Sequence, residues 1–411
     1  MSDSKTIFIS LIGKGRPQQD RKGYQKTTYF FNEIQDTVHK SFFGSALYEV
    51  LNRQEYEIDK WLIFGTNQSS WSELIEILDD QFHDEMTELY DKVYDEEEKG
   101  ISGELLGEWQ KALQRFIPGI RLIIVDPLDY EVYINHMLKE IPDEPGKIVL
   151  DITHAFRHMP VVIAFSLMVL KHIKNISDIV VYYGAFELKK DRKNAEEPTP
   201  VLRIDFINTL VSYAENLATF NYSGYFPSLL NTLRITDTEK TYFWLEMNRQ
   251  PRRDLEDISK KLKENMSESN HVAEISRYLN KEIEPLIGAT LEKRMIERAR
   301  FFFAKKQYLK DLILLYEGLI LAVGRSQGMR NVLEYQEREK IREYINKNFD
   351  TIFDTEEKKR IYSELKNTRH AAVHGTISQE TRNYLENEEQ FQKLFNDALT
   401  LYGYISGDEL C

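Results

Sequence analysis

The chain has 411 residues, enough for two or three domains with cores of their own. Its hydrophobic (42%) and charged (29%) fractions are those of an ordinary globular protein, and its one cysteine, Cys411, excludes an intrachain disulfide framework or a cysteine zinc site. A net charge of −13 argues against drawing nucleic acid in by bulk field, so any RNA contact must come from a local basic patch.

The opening "MSDSKTIFISLIG" holds an apolar run too short for a signal-peptide core. The most apolar stretch, "LILLYEGLILAV" (312–323), is too short to span a bilayer and contains Glu317. Both point to a soluble, cytoplasmic protein with no membrane partner. "KTIFISLIG" (5–13) reads as a strand and runs into "LIGKGR" (11–16). There Gly13 and Gly15 bracket Lys14, with Arg16 following, and such a loop can bring backbone N–H groups and two cations to a phosphate. An ordinary glycine turn explains it equally well. "YQKTTYFF" (24–31) alternates and adds a strand or hairpin. "DKWLIFGT" (59–66) is a further strand, ending in the polar "GTNQSSW", where Thr66 and Asn67 face a loop and Ser69 or Ser70 can cap a helix over 68–82.

"RLIIVDPL" (121–128), "KIVLDITH" (147–154) and "DIVVYYGAF" (178–186) complete the strands. Their near-continuous apolar character suits a parallel sheet covered on both faces, and the helical patterns between them predict a doubly wound, Rossmann-like α/β domain. "DITHAFRHMP" (151–160) joins one strand to a helix. Asp151, Thr153, His154, Arg157 and His158 gather at its N-terminus, Pro160 falls in the first turn, and "VVIAFSLMVL" continues as a buried helix. Hydrogen-bonding side chains, imidazoles and a guanidinium at a helix N-terminus suit a phosphodiester or nucleobase ligand. The competing reading is a capped turn with His154 buried and satisfied.

After the charged loop 188–200, strand signals stop near residue 205 and helical spacing takes over, giving an all-α second half. The stretch 290–310 carries seven Lys/Arg against two Glu, read either as an RNA-contacting patch or as a solvated helix face. Near the end, a capping signal at Asp354/Thr355 with Glu357 opens a helix that Gly375 can close. Within it Arg369 falls on the apolar stripe of Ile361, Leu365 and Ala372, while His370 and His374 form an i,i+4 pair near the opposite side. Arg369 and His374 stand about 140° apart, so one helix does not readily focus both on one phosphate. The paired histidines lack the glutamate of a zinc-binding H-E-x-x-H and no third ligand is evident, so no metal is expected.

The stretch 151–160 resembles the branch of CARF sensor domains, from type III CRISPR systems, that carries a D-x-T-H-x-x-R-x-M-P signature. Asp151, Thr153, His154, Arg157, Met159 and Pro160 match it residue for residue, and "GKGR" and "YQKTTY" are similar as well. Arg369-x4-His374 at the end of an all-α segment resembles the HEPN ribonuclease motif, where the common form has Asn after the arginine and this chain has His370. The resemblance implies a CARF domain over 1–210 and a HEPN domain over 211–411. It also implies a homodimer, open to higher association, that binds cyclic oligoadenylate across its two-fold axis, cyclic tetra-adenylate by family frequency. The expected ligand residues are Gly13, Lys14, Gly15, Arg16, Thr66, Asn67, Asp151, Thr153, His154, Arg157 and His158.

The activity so implied is cleavage of single-stranded RNA without metal or other cofactor. The ring acts as allosteric activator, and the catalytic group is Arg369, His374 and His370. A histidine serves as general acid/base and an arginine fork stabilises the phosphorane, leaving a 2′,3′-cyclic phosphate. Two rivals are a sensor whose helical half only binds a partner, and a transcription regulator, for which no helix-turn-helix is evident.

Overall fold

The computed structural model describes residues 5–15, 23–191, 194, 197–329 and 334–407, apart from the side chain of Asp80. The chain divides into two compact units, Met1–Val211 and Ser212–Cys411.

In the first unit the strands are β1 (Thr6–Leu11), β2 (Thr27–Phe31), β3 (Asp36–Lys40), β4 (Ile58–Gly65), β5 (Ile120–Ile124), β6 (Lys147–Asp151), β7 (Ile179–Gly184) and β8 (Thr199–Arg203). Among the described residues they form one eight-stranded sheet in the order β3, β2, β8, β7, β6, β1, β4, β5. The five strands from β7 to β5 in that order run parallel. The parallel expectation needs correcting at one end, because β8 is antiparallel to β7 and β3 is antiparallel to β2. Strand β8 begins inside the segment read as a charged loop; its core is only "TPVLR", too short and too polar on one face to register as a strand.

Side chains alternate across the sheet. Phe8, Trp61 and Ile63 face a core shared with α1 (Phe43–Arg53), α2 (His83–Glu96) and α3 (Gly103–Leu113). Ile7, Ile9, Leu62 and Leu150 face the opposite core, beneath α4 (Tyr130–Glu140) and α5 (His158–Ile173). The helix expected over 68–82 is replaced by a 3-10 turn, Trp71–Ile77, and the α-helix of that region is α2, further on. The reason lies in the serines. Ser69 Oγ donates to the Ile12 carbonyl and Ser70 Oγ accepts from Gly15 N–H, so both side chains serve the loop after β1 and neither caps a helix.

Helix α5 also departs from expectation. Met159, Ile163, Leu167 and Leu170 are buried, but Val161, Phe165, Val169 and Ile173 form an i,i+4 stripe that faces outward, with Phe165 64% exposed.

Helix α6 (Phe206–Ser223) starts before the boundary and ends after it. The second unit continues with α7 (Pro227–Thr232), α8 (Glu239–Glu246), α9 (Arg252–Asn265), α10 (His271–Ile283), α11 (Leu291–Ala304), α12 (Tyr308–Ser326), α13 (Tyr335–Lys347), α14 (Phe349–Ile352), α15 (Glu356–His374), α16 (Gln379–Glu386) and α17 (Glu388–Ser406). Its core centres on α12, where every residue from Leu314 to Gly324 is buried. A helix apolar on all sides belongs at the middle of a bundle, and α11, α13, α15 and α17 pack around it. Among the described residues no helix is long and apolar enough to cross a membrane.

The basic stretch 290–310 is spent on structure. Arg298, 1% exposed, donates to the carbonyls of Leu245, in the last turn of α8, and of Arg249 just beyond it, and burial pushes its pKa down to about 10. Lys305 lies over the Phe220 ring and pairs with Glu282, and Lys310 pairs with Glu246.

Candidate functional site

The parallel strands place the loops after β1, β4, β6 and β7 along one edge of the sheet, the edge where open α/β sheets take their ligands. A cavity of about 710 Å³ opens there. Chain order reverses between β1 and β6, and the two loops that leave these strands meet backbone to backbone. A Cβ on Gly13 would lie 2.6 Å from Ala155 Cα, so only glycine fits at Gly13. Ala155 itself has φ of 77°, a left-handed conformation that alanine adopts at a cost.

Hydrogen bonds from buried side chains shape this edge. Asp151 is fully buried; its Oδ1 accepts from Thr153 N–H at 2.7 Å, and Thr153 Oγ1 accepts from Gly184 N–H at 2.9 Å. The D-x-T pair thereby ties the end of β6 to the end of β7. Burial pushes the Asp151 carboxyl up to about 7, opposed by its bonds to Thr153. His154 accepts from Phe43 N–H through Nε2 at 3.2 Å, which leaves its proton on Nδ1. Desolvation lowers its pKa to about 3, so the ring is neutral across the physiological range. The Tyr24 ring lies tilted against it at 4.2 Å, and the Tyr24 hydroxyl holds the Gly13 peptide. Behind these groups stand Glu73, which accepts from Tyr24 N–H, and Glu76, which accepts from Ser41 N–H. Burial works against the Glu76 carboxylate, but Ser41 and Lys26 outweigh it and hold its pKa below the usual range.

Of the residues expected from sequence, Gly13, Lys14, Thr66, Thr153 and His154 line the cavity. Gly15 sits beside it, fixed by Ser70. Four others are not brought to it. Asp151 lies behind the loop that it shapes. Asn67 turns to Gly100 and Ile101, whose N–H its carbonyl accepts. Arg157 is exposed at the N-cap of α5. His158 bonds the Pro127 carbonyl at 2.7 Å, tying the start of α5 to the loop before α4. Arg16 lies outside the described residues. Sequence reasoning passed over Tyr24, Gln25, Phe156, Phe186 and Glu187, which also line the cavity. The aromatic residue that opens "YQKTTY" was a usable signal for Tyr24. Glu187 was not legible, because its place depends on how β7 ends.

In the helical unit, α15 begins at a Thr355 cap that accepts from Lys358 N–H and ends at Gly375 with φ of 64°, as the spacing predicts. His370 and His374 are exposed with ring centroids 4.5 Å apart. Arg369 is on the other side of the helix, half-buried, with its guanidinium over Tyr316 and 4.0 Å from Glu317. One copy of the chain therefore brings the two histidines together and holds the arginine apart from them. The exposed Val373 and Ile377 flank His374. Among the described residues no group of three or more acidic, histidine or cysteine side chains is arranged to hold a metal.

Residues 7–190 match the family described as CRISPR system endoribonuclease Csx1, CARF domain. Over 413 aligned residues the chain is 23% identical to the CRISPR-associated protein MJ1674 of Methanocaldococcus jannaschii, covering 90% of this chain. The aligned part spans 62% of that relative's length. The α/β unit is where the similarity to the Csx1 CARF domain lies.

Proposed function

We propose that the protein is a cyclic-oligoadenylate-activated endoribonuclease of CRISPR defence, working in the cytoplasm as a homodimer. The observation that carries the reading is the cavity at the carboxyl edge of the sheet, inside the stretch that matches a CARF domain. Lys14 offers a cation to phosphate, and Phe156 and Phe186 offer ring faces to adenine. The neutral His154 presents a donor without a charge. Cyclic tetra-adenylate is the favoured ring, on family frequency.

The helical unit is read as a HEPN ribonuclease. Arg369 stabilises the charge of the phosphorane and His374 moves protons, with His370 beside it. Since one copy separates Arg369 from the histidines, the working site joins two copies of α15, and the exposed Val373 and Ile377 give that contact an apolar margin. The outward stripe on α5 gives the α/β units a second self-contact. A ring spanning two cavities favours one dimer arrangement, and activation is a shift toward it.

The test is cleavage of a fluorescent single-stranded RNA in EDTA, with no ring, with cyclic tetra-adenylate and with cyclic hexa-adenylate. Cleavage with one ring, lost by at least about a hundredfold in Arg369→Ala/His374→Ala, is expected. Binding of a ring without any cleavage would instead make the helical unit a partner-binding domain.

A further inference from the structure

Of the histidines in the chain, two pairs stand at i,i+4: His154 with His158, and His370 with His374. The first pair is engaged elsewhere. His154 Nε2 accepts from Phe43 N–H, and His158 Nε2 bonds the Pro127 carbonyl. The second pair is not. Both rings are exposed at the end of α15, with centroids 4.5 Å apart and planes at 50°. Neither makes a hydrogen bond or an ion pair among the described residues. Helix α15 is anchored by the buried Ile361, Tyr362, Leu365, Thr368 and Ala371, so a packed helix sets the spacing of the two rings.

That spacing is the spacing of a chelate. Side chains at i and i+4 lie one above the other on the same helix face. Imidazole nitrogens bind divalent transition cations at about 2.0–2.1 Å, and two rings in neighbouring positions of one cation have centroids about 4.5–5 Å apart. The rings of His370 and His374 already stand at that separation, so rotation about side-chain bonds closes the chelate and the helix need not move. The helix ends at Gly375, and the carboxyl end of a helix dipole favours positive charge. The absence of a third protein ligand argues against a tightly held structural ion. Two imidazoles, with water in the remaining positions, make an exchangeable site instead. Imidazole selects zinc, nickel and copper, whereas magnesium and calcium take oxygen ligands.

We propose that His370 and His374 form a two-ligand site for a divalent late transition cation of the zinc or nickel class, and that filling it inhibits the protein. The binding rests on the geometry of α15. The inhibition rests on the ribonuclease reading: a lone pair given to a cation can take no proton, so cation and proton transfer exclude each other at His374. A nuclease that needs no metal is then one that a transition metal switches off.

The experiment titrates the full-length chain, first stripped with EDTA and dialysed, with ZnCl2 in a calorimeter at about pH 7.5, where an ordinary histidine is neutral. A saturable site is expected. Its affinity should fall by at least about tenfold in His370→Ala and in His374→Ala, because the second imidazole of a chelate binds intramolecularly. Both side chains are exposed, so the variants are expected to fold, which a thermal melt verifies. MgCl2 in place of ZnCl2 is expected to leave the site empty. In parallel, cleavage of fluorescent single-stranded RNA with cyclic tetra-adenylate is followed across the ZnCl2 series. It should fall as the site fills and return when EDTA is added. A parent without a zinc site, or variants that bind zinc as the parent does, overturn the proposal, as does undiminished cleavage with the site filled. Failure of the ribonuclease reading looks different: zinc binds and the variants lose it, while RNA stays uncut even without zinc, which keeps the metal site and removes the inhibition.

Discussion

Asp311 lies in the first turn of α12, fully buried, and neither carboxylate oxygen has a hydrogen-bond partner among the described residues. Burial pushes its pKa up to about 9. The folded chain therefore holds a proton that the unfolded chain releases above about pH 4. The contribution to stability is whole below that pH and declines as pH rises toward 9, by at most about 1.4 kcal/mol per pH unit. Asp311→Asn abolishes the titration. Thermal melts from pH 6 to pH 9 are expected to show a shallower fall in Tm for the variant; parallel curves would refute the assignment. Nothing in the sequence marked Asp311, because an aspartate in a first helical turn reads as an ordinary dipole partner. Gly13, Lys14, Thr153 and His154 were legible because glycine and hydrogen-bonding residues at a strand end announce a loop. The placing of Asp151 and His158 behind that loop was not, since it depends on the third dimension: β7 lying beside β6, and Pro127 beside α5.

Among the elements, α5 carries the clearest expectation. Its sequence is apolar almost all round, which at first sight means burial on every side. The structure buries one face and leaves Val161, Phe165, Val169 and Ile173 outside. An exposed stripe of this kind marks a contact surface, and self-association is the occupant that the proposed dimer supplies. Phe165→Glu is expected to convert dimer to monomer by light scattering after gel filtration and to abolish ring-activated cleavage. A variant that stays dimeric would move the self-contact elsewhere. The five parallel strands β1, β4, β5, β6 and β7 were legible from their apolar runs, whereas the turn at Trp71–Ile77 was not. Its period looked helical, but three serine hydroxyls are engaged by the neighbouring loops and by Glu97, which leaves room only for the tighter coil.

At the scale of the whole molecule, each unit owns a separate hydrophobic core, so unfolding is expected in two calorimetric steps. A ring bound in the α/β cavity at a hundred times its Kd adds about 2.7 kcal/mol to the unit that binds it. That raises one transition by roughly 5–10 °C, while the other stays in place. A shift confined to the helical unit's transition would contradict the assignment of the cavity. The two-unit organisation was visible in the change from strand to helix periodicity near residue 205. The joining of Arg369 to Glu317 was not, since residues 52 positions apart share no local pattern.

The hydrogen bond from Trp71 Nε1 to the Thr66 carbonyl has an optical consequence. Thr66 lines the cavity, so a ligand that displaces its peptide changes the field on the indole and shifts its emission. Trp61 and Trp109 share the same core as steady background, and Trp244, over which Lys240 lies, is the fourth and last tryptophan and belongs to the helical unit. The protein carries its own fluorophore bonded to a residue of the cavity wall, and filling the cavity is expected to be visible in unlabelled protein, in real time, as a change in emission colour.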